Sequence, residues 1–127
     1  MKLIKKIIVS SLVAASMLAA SATTFAAEGD AKVAKALNDT IAILQTTAEL
    51  VESGAAQDAI TQSLHEAKQA QKEFRYEQTE RKRQYAADHI KEALSANKKS
   101  DKATTLTEVK AALAGFQEMK PIYDAAH

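Results

Sequence analysis

Four stretches of the chain place apolar residues at steps of three and four, the spacing that winds one stripe down a helix face. In residues 30–54 the stripe is Val33, Leu37, Ile41, Leu44, Ala48 and Val51. Asp30 is a residue type that caps a helix start, and Gly54 supplies the left-handed residue that commonly ends one. Residues 55–74 carry a second stripe of Ile60, Leu64, Ala67 and Phe74, interrupted by the polar Gln71. Residues 85–97 continue with Ala86, Ile90 and then Ala93 or Leu94. The fourth stripe is Leu106, Val109, Leu113, Phe116 and then Met119 or Lys120. Its helix has two candidate starts, Asp101 as N-cap or Thr105 paired with Glu108 in capping-box spacing. Pro121 is expected to end or kink it, with Ile122 and Tyr123 folding onto the open end of the core.

One stripe alone does not hold a helix together in water, so each must be covered by another. The connection at residues 53–55 is short and returns the second helix along the first, and residues 98–102 form a similar loop. Residues 75–84, RYEQTERKRQ, are the most charged part of the chain and contain neither Gly nor Pro. Either the chain turns there or a single helix runs from about 56 to 97. The turn is expected, because so long a helix is out of scale for a small domain. The predicted fold is all-α, an antiparallel four-helix bundle made of two helical hairpins over residues 27–127. A pair of long helices that dimerise to complete the core is the structural alternative. A faint repeat supports two hairpins: residues 60–74 superpose on 105–119, with Leu64 over Val109, Ala67 over Ala112 and Phe74 over Met119.

The N-terminus has a different pattern. Lys2, Lys5 and Lys6 precede an apolar run over residues 7–20, and Thr24, Phe25 and Ala26 place small residues at −3 and −1 of a cleavage site. That is the layout of a secretory signal peptide, so residues 1–26 are expected to be removed and the product to be periplasmic or secreted. No second long apolar run follows, so no stable membrane insertion is expected after cleavage. The whole chain has 17 basic and 16 acidic residues. Without the three leader lysines, 14 basic face 16 acidic residues, a net of −2, and no basic footprint for nucleic acid remains.

Candidate chemistry is sparse. There is no cysteine, which removes disulfides, thiolate metal sites and thiol nucleophiles. No phosphate-binding glycine loop or nucleophile elbow is present, and a non-enzymatic protein is expected. The Glu-x-x-His motif of bundle di-iron enzymes fails twice, with Gln62 before His65 and Ala86 before His89. Three histidines have carboxylates nearby in sequence: His65 beside Glu66, His89 near Asp88 and Glu92, and His127 near Asp124. His89 and Glu92, three apart, share a helix face and could hold one divalent transition ion, copper, nickel or zinc, with His65 as a further candidate ligand. In another class of reading, the charged 75–84 segment meets a partner protein of the cell envelope.

The segment AADHIKEALSANKKSDKATTLTEVKAALAGFQEMK (86–120) resembles a hairpin of the small metal-binding protein family, whose members are signal-bearing and built from His-Ala-x-x-Ala-type repeats. Residues 34–74 resemble a more diverged copy. The resemblance implies a periplasmic helical protein that buffers metal, with His89 at a repeat histidine position. ALNDTIAIL (36–44) and AAQDAITQSLHEAKQA (55–70) are similar to the first two helices of cytochrome b562-type bundles. That family ligates haem through an early Met and a late His. The matching positions here are Ala34 and Asp124, so this second resemblance implies the bundle without haem.

Overall fold

In a computed structural model of the chain, residues 28–127 are described; the expected leader, residues 1–26, lies outside them. Four helices follow in order: α1 (Glu28–Glu52), α2 (Gln57–Lys72), α3 (Glu80–Lys98) and α4 (Lys102–Ala126). A single 3₁₀ turn, Glu77–Thr79, precedes α3. Among the described residues there is no strand. α1 packs on α2, α2 on α3, α3 on α4, and α4 back on α1, while the diagonal pairs α1–α3 and α2–α4 make no close backbone approach. The helices therefore close a four-helix bundle around one core, as four single-striped helices must to cover their apolar faces.

The predicted stripes meet in that core. Leu37, Leu44, Val51, Ile60, Leu64, Phe74, Ile90, Val109, Phe116 and Met119 are all buried. Burying a Leu, Ile, Val or Phe side chain contributes about 1.5–3 kcal/mol, so these positions dominate stability. Ala93 rather than Leu94 completes the α3 stripe. The α4 stripe is rotated from its predicted centre: Leu106 and Leu113 are half-buried, while Thr105, Ala112 and Tyr123 are buried. α3 and α4 approach closely at Gly115 and Ala86. A Cβ on Gly115 would stand 3.1 Å from the Ala86 Cβ, so small residues occupy the centre of the contact and larger ones flank it.

Buried hydroxyls thread the same core. Thr40 and Thr47 donate to the carbonyls of Ala36 and Ile43 at 2.7 and 2.8 Å. Ser63 Oγ of α2 lies 2.5 Å from Thr47 Oγ1 of α1. Because Thr47 has given its proton to Ile43, Ser63 is the donor in this pair. Hydrogen bonding removes the penalty of burying these polar atoms and ties the register of α1 to that of α2.

Two helix ends use left-handed residues. Gly54 has φ 74°, and the N–H groups of Gly54 and Ala55 close back on Val51 and Leu50 at 3.1 and 2.9 Å. Ser100, with φ 59°, plays the same part after α3, its N–H bonding Asn97 while that of Asp101 bonds Ala96. At the start of α4, Asp101 is the cap: its Oδ1 accepts from the Thr104 N–H at 3.1 Å, and Thr105 is inside the helix.

Three expectations are corrected. α1 is already helical at Glu28, so Asp30 lies within its first turn and not at its cap. Pro121 does not end α4, which runs on to Ala126; Pro121 is exposed, and Tyr123 beyond it is buried, edge-on to Phe74 and Tyr76 at 5.8 and 5.3 Å. That aromatic packing offsets the hydrogen bond a proline removes. The third correction falls on residues 75–84. The chain turns there as expected and helix resumes at Glu80, but Arg83 is buried, so not all of the charged segment is presented to a partner. Its Nη1 donates to Gln71 Oε1 at 2.5 Å, and its Nε donates to Glu80 Oε1 at 3.1 Å, with Nη2 on Glu80 Oε2. Gln71, the polar break in the α2 stripe, is thus the partner of a buried guanidinium. With Phe74 buried beside it and Tyr76 packed on Tyr123, this pairing anchors the turn without Gly or Pro.

Candidate functional site

His89 sits one residue before Ile90 on α3, and Glu108 one residue before Val109 on α4. Ile90 and Val109 are fully buried, so their predecessors stand at the rim where the two helices meet. There His89 Nδ1 lies 2.8 Å from Glu108 Oε1, with the side chains 40% and 19% exposed. A carboxylate can only accept, so Nδ1 carries the proton, and in the neutral ring Nε2 keeps its lone pair. A carboxylate on the far nitrogen of a metal-binding imidazole fixes the tautomer and ring direction and makes the ligand more basic. The pair therefore has the form of a histidine prepared to ligate through Nε2.

The other two candidate ligands are placed less closely. Glu92 is exposed on α3, one turn beyond His89 and on the same side of the helix. His65 is exposed on α2, next to the buried Leu64. The third histidine belongs to an aromatic cluster: His127 stacks on Tyr123 with centroids 4.0 Å apart, and its Nδ1 lies 2.8 Å from the Tyr123 carbonyl oxygen. Among the described residues no three of His, Asp and Glu come together to hold a metal ion. What this arrangement can do is offer one oriented imidazole and one neighbouring carboxylate, with water completing any coordination shell.

Two carboxylates titrate below their ordinary range. Glu80 is held down chiefly by its hydrogen bond from Arg83, reinforced by the charges of Arg83 and Arg75 and opposed by partial burial. Asp101 is held down by the hydrogen bonds from Thr104 at the α4 cap. Neither lies in a constellation of acid, base and nucleophile. The 75–84 segment presents Arg75, Arg81 and Lys82 to solvent, and next to it Tyr85 is 68% exposed. Among the described residues no helix is long and apolar enough to cross a membrane.

Reading along the sequence misses Glu108, because it is nineteen residues from His89 and on another helix. The signal was available in the turn: counting outward from residues 99–101 brings the two positions to similar heights on α3 and α4. Comparison with protein-family models, with curated proteins and with solved structures gave no significant match.

Proposed function

We propose that this chain is a non-enzymatic helical protein of the periplasm or cell exterior that binds a divalent transition metal weakly. In this reading it is an antiparallel bundle of two hairpins, α1–α2 and α3–α4, which the short connections at residues 53–56 and 99–101 support. The observation that carries the metal reading is the 2.8 Å contact of His89 Nδ1 with Glu108. It leaves Nε2 to the ion, with Glu92 as second protein ligand and Glu108 as the orienting group. Copper, nickel and zinc all accept imidazole and carboxylate together, and two protein ligands suit a buffer better than a permanent metal centre. His65 is a separate exposed imidazole, and haem has no matching ligand pair. The resemblance of residues 86–120 to the small metal-binding proteins points the same way.

A reading from another class rests on the exposed Tyr85 beside Arg81 and Lys82, a combination suited to a partner protein in the envelope. Calorimetric titration with copper, nickel and zinc separates the two. The metal reading expects binding heat that falls away in His89→Ala and in acid, because protons compete for imidazole. No heat in the parent, or equal heat in His89→Ala, would leave the interaction reading in its place.

A further inference from the structure

The seam between α2 and α3 is tied near both ends. Asn97 donates to Thr61 Oγ1 at 2.8 Å, and Arg83 donates to Gln71 Oε1 at 2.5 Å. Thr61 therefore marks the side of α2 that meets α3, and His65, Lys68 and Lys72 follow it four, seven and eleven residues later along the outer lip of the seam. On α3, Ala86 and His89 mark the side that meets α4. Ala87, Lys91, Leu94 and Lys98 recur at steps of four, three and four on the other side, facing α2. Ala87, Leu94 and Lys68 are half-buried, while Lys72, Lys91 and Lys98 are exposed.

None of the four lysines forms an ion pair with a described residue. No carboxylate occupies either lip. Asp88 is turned further outward on α3, and Glu80, at its start, is engaged by Arg83. Of the 14 basic residues after the leader these four stand together, leaving 10 against 16 acidic residues on the rest of the molecule. The seam is thus a positive face on an otherwise acidic bundle. Its partner is anionic by charge complementarity. Neither lip carries an aromatic or arginine side chain, the types that anchor a protein partner. Lysine is a compact charge on a flexible stem, suited to a diffuse field of anions more than to one fixed carboxylate. Two helices side by side, α2 being 16 residues or about 24 Å long, make an extended face and not a pocket.

We propose that the α2–α3 face docks the protein, without insertion, on a membrane surface of anionic phospholipid. This face is independent of the His89 site, which lies on the other side of α3. At about 0.1 M salt the Debye length is about 10 Å, so the lysines in contact feel the surface while the acidic faces a helix layer behind are screened. Each lysine there strengthens binding about fivefold. The test uses the chain from Ala27, which holds the whole bundle and lacks the apolar leader. It should cosediment with vesicles of phosphatidylglycerol and phosphatidylcholine in equal parts, and not with phosphatidylcholine alone. Lys68→Gln with Lys91→Gln should weaken binding about 25-fold. Lys110→Gln with Lys120→Gln removes the same charge from the α1–α4 side, where these lysines meet Glu52 and Asn38, and should weaken it less than about threefold. No binding of the parent to the mixed vesicles, or equal binding to the neutral ones, would overturn the proposal without any variant. Equal losses in the two double variants would overturn it as well. Tighter binding to poly-glutamate than to the mixed vesicles would give the face to an acidic protein and overturn the lipid assignment.

Discussion

Arg83 is the sharpest place to test how the bundle is held, because it brings a charge into a core that could have been wholly apolar. It is 9% exposed and its guanidinium is shared between Gln71 and Glu80. Arg83→Met keeps most of the side chain's apolar body while removing the donors. Glu80, with 27% of its side chain exposed, can return to water and to Arg75 at 3.7 Å. Gln71, at 4% exposure, cannot. Its Oε1 is left unpaired, and an orphaned buried acceptor costs about 1–3 kcal/mol. Gln71→Leu alone removes one charge-assisted hydrogen bond and leaves Arg83 with Glu80, a loss of about 1.5–3 kcal/mol. In the double variant neither orphan exists, and apolar replacement of a buried polar pair is often neutral or stabilising. Urea unfolding followed by helical circular dichroism should therefore give a double variant less destabilised than the worse single one, with a coupling of about 1–2 kcal/mol. Single effects that add to within about 0.5 kcal/mol would show that the two residues do not act as a pair, and the reasoning would fail.

Leu37, at 1% exposure, and the half-buried Leu113 should respond differently to aspartate. Leu37→Asp should unfold the domain, while Leu113→Asp should lower the melting temperature and leave a folded protein, both read by thermal circular dichroism. Glu80 should contribute to acid stability in a defined direction. Its folded pKa lies below the ordinary 4.5, so its stabilisation is full above that value and is lost as pH falls through the depressed one. Urea midpoints measured across that window should fall less steeply in Glu80→Gln than in the parent. Ser100 holds φ 59° with a side chain that disfavours it. Ser100→Gly should raise stability by about 1 kcal/mol, measured by the same urea unfolding.

The bundle is legible in the chain because large aliphatic residues carry the stripes. Leu37, Leu44, Leu64, Ile90 and Val109 recur at helical spacing, and spacing is what the core reads. The repeat is legible for the same reason. Ile60, Leu64, Ala67, Gln71 and Phe74 are buried, and so are Thr105, Val109, Ala112, Phe116 and Met119, each forty-five residues later. Polar members of those stripes are not legible by residue type. Thr40 and Thr47 satisfy their hydroxyls on the preceding turn of their own helix, and Arg83 pairs its charge with Glu80 three positions back and donates to the amide of Gln71 twelve positions back. Pro121 breaks a local rule that aromatic packing around Tyr123 overrides. At the candidate site, His89 and Glu92 stand out because they share one helix. Glu108 becomes visible only when α3 and α4 are packed together.

The metal reading depends on which nitrogen of His89 carries the proton. Two-bond ¹⁵N–¹H correlation of the imidazole side chains, in mildly alkaline buffer where a histidine ring is neutral, reports that tautomer directly. His89 should be protonated at Nδ1, with Glu108→Gln relaxing the preference, and zinc should move the Nε2 resonance while Nδ1 keeps its proton. A His89 ring protonated at Nε2, or an Nε2 resonance that zinc leaves unchanged, would contradict it.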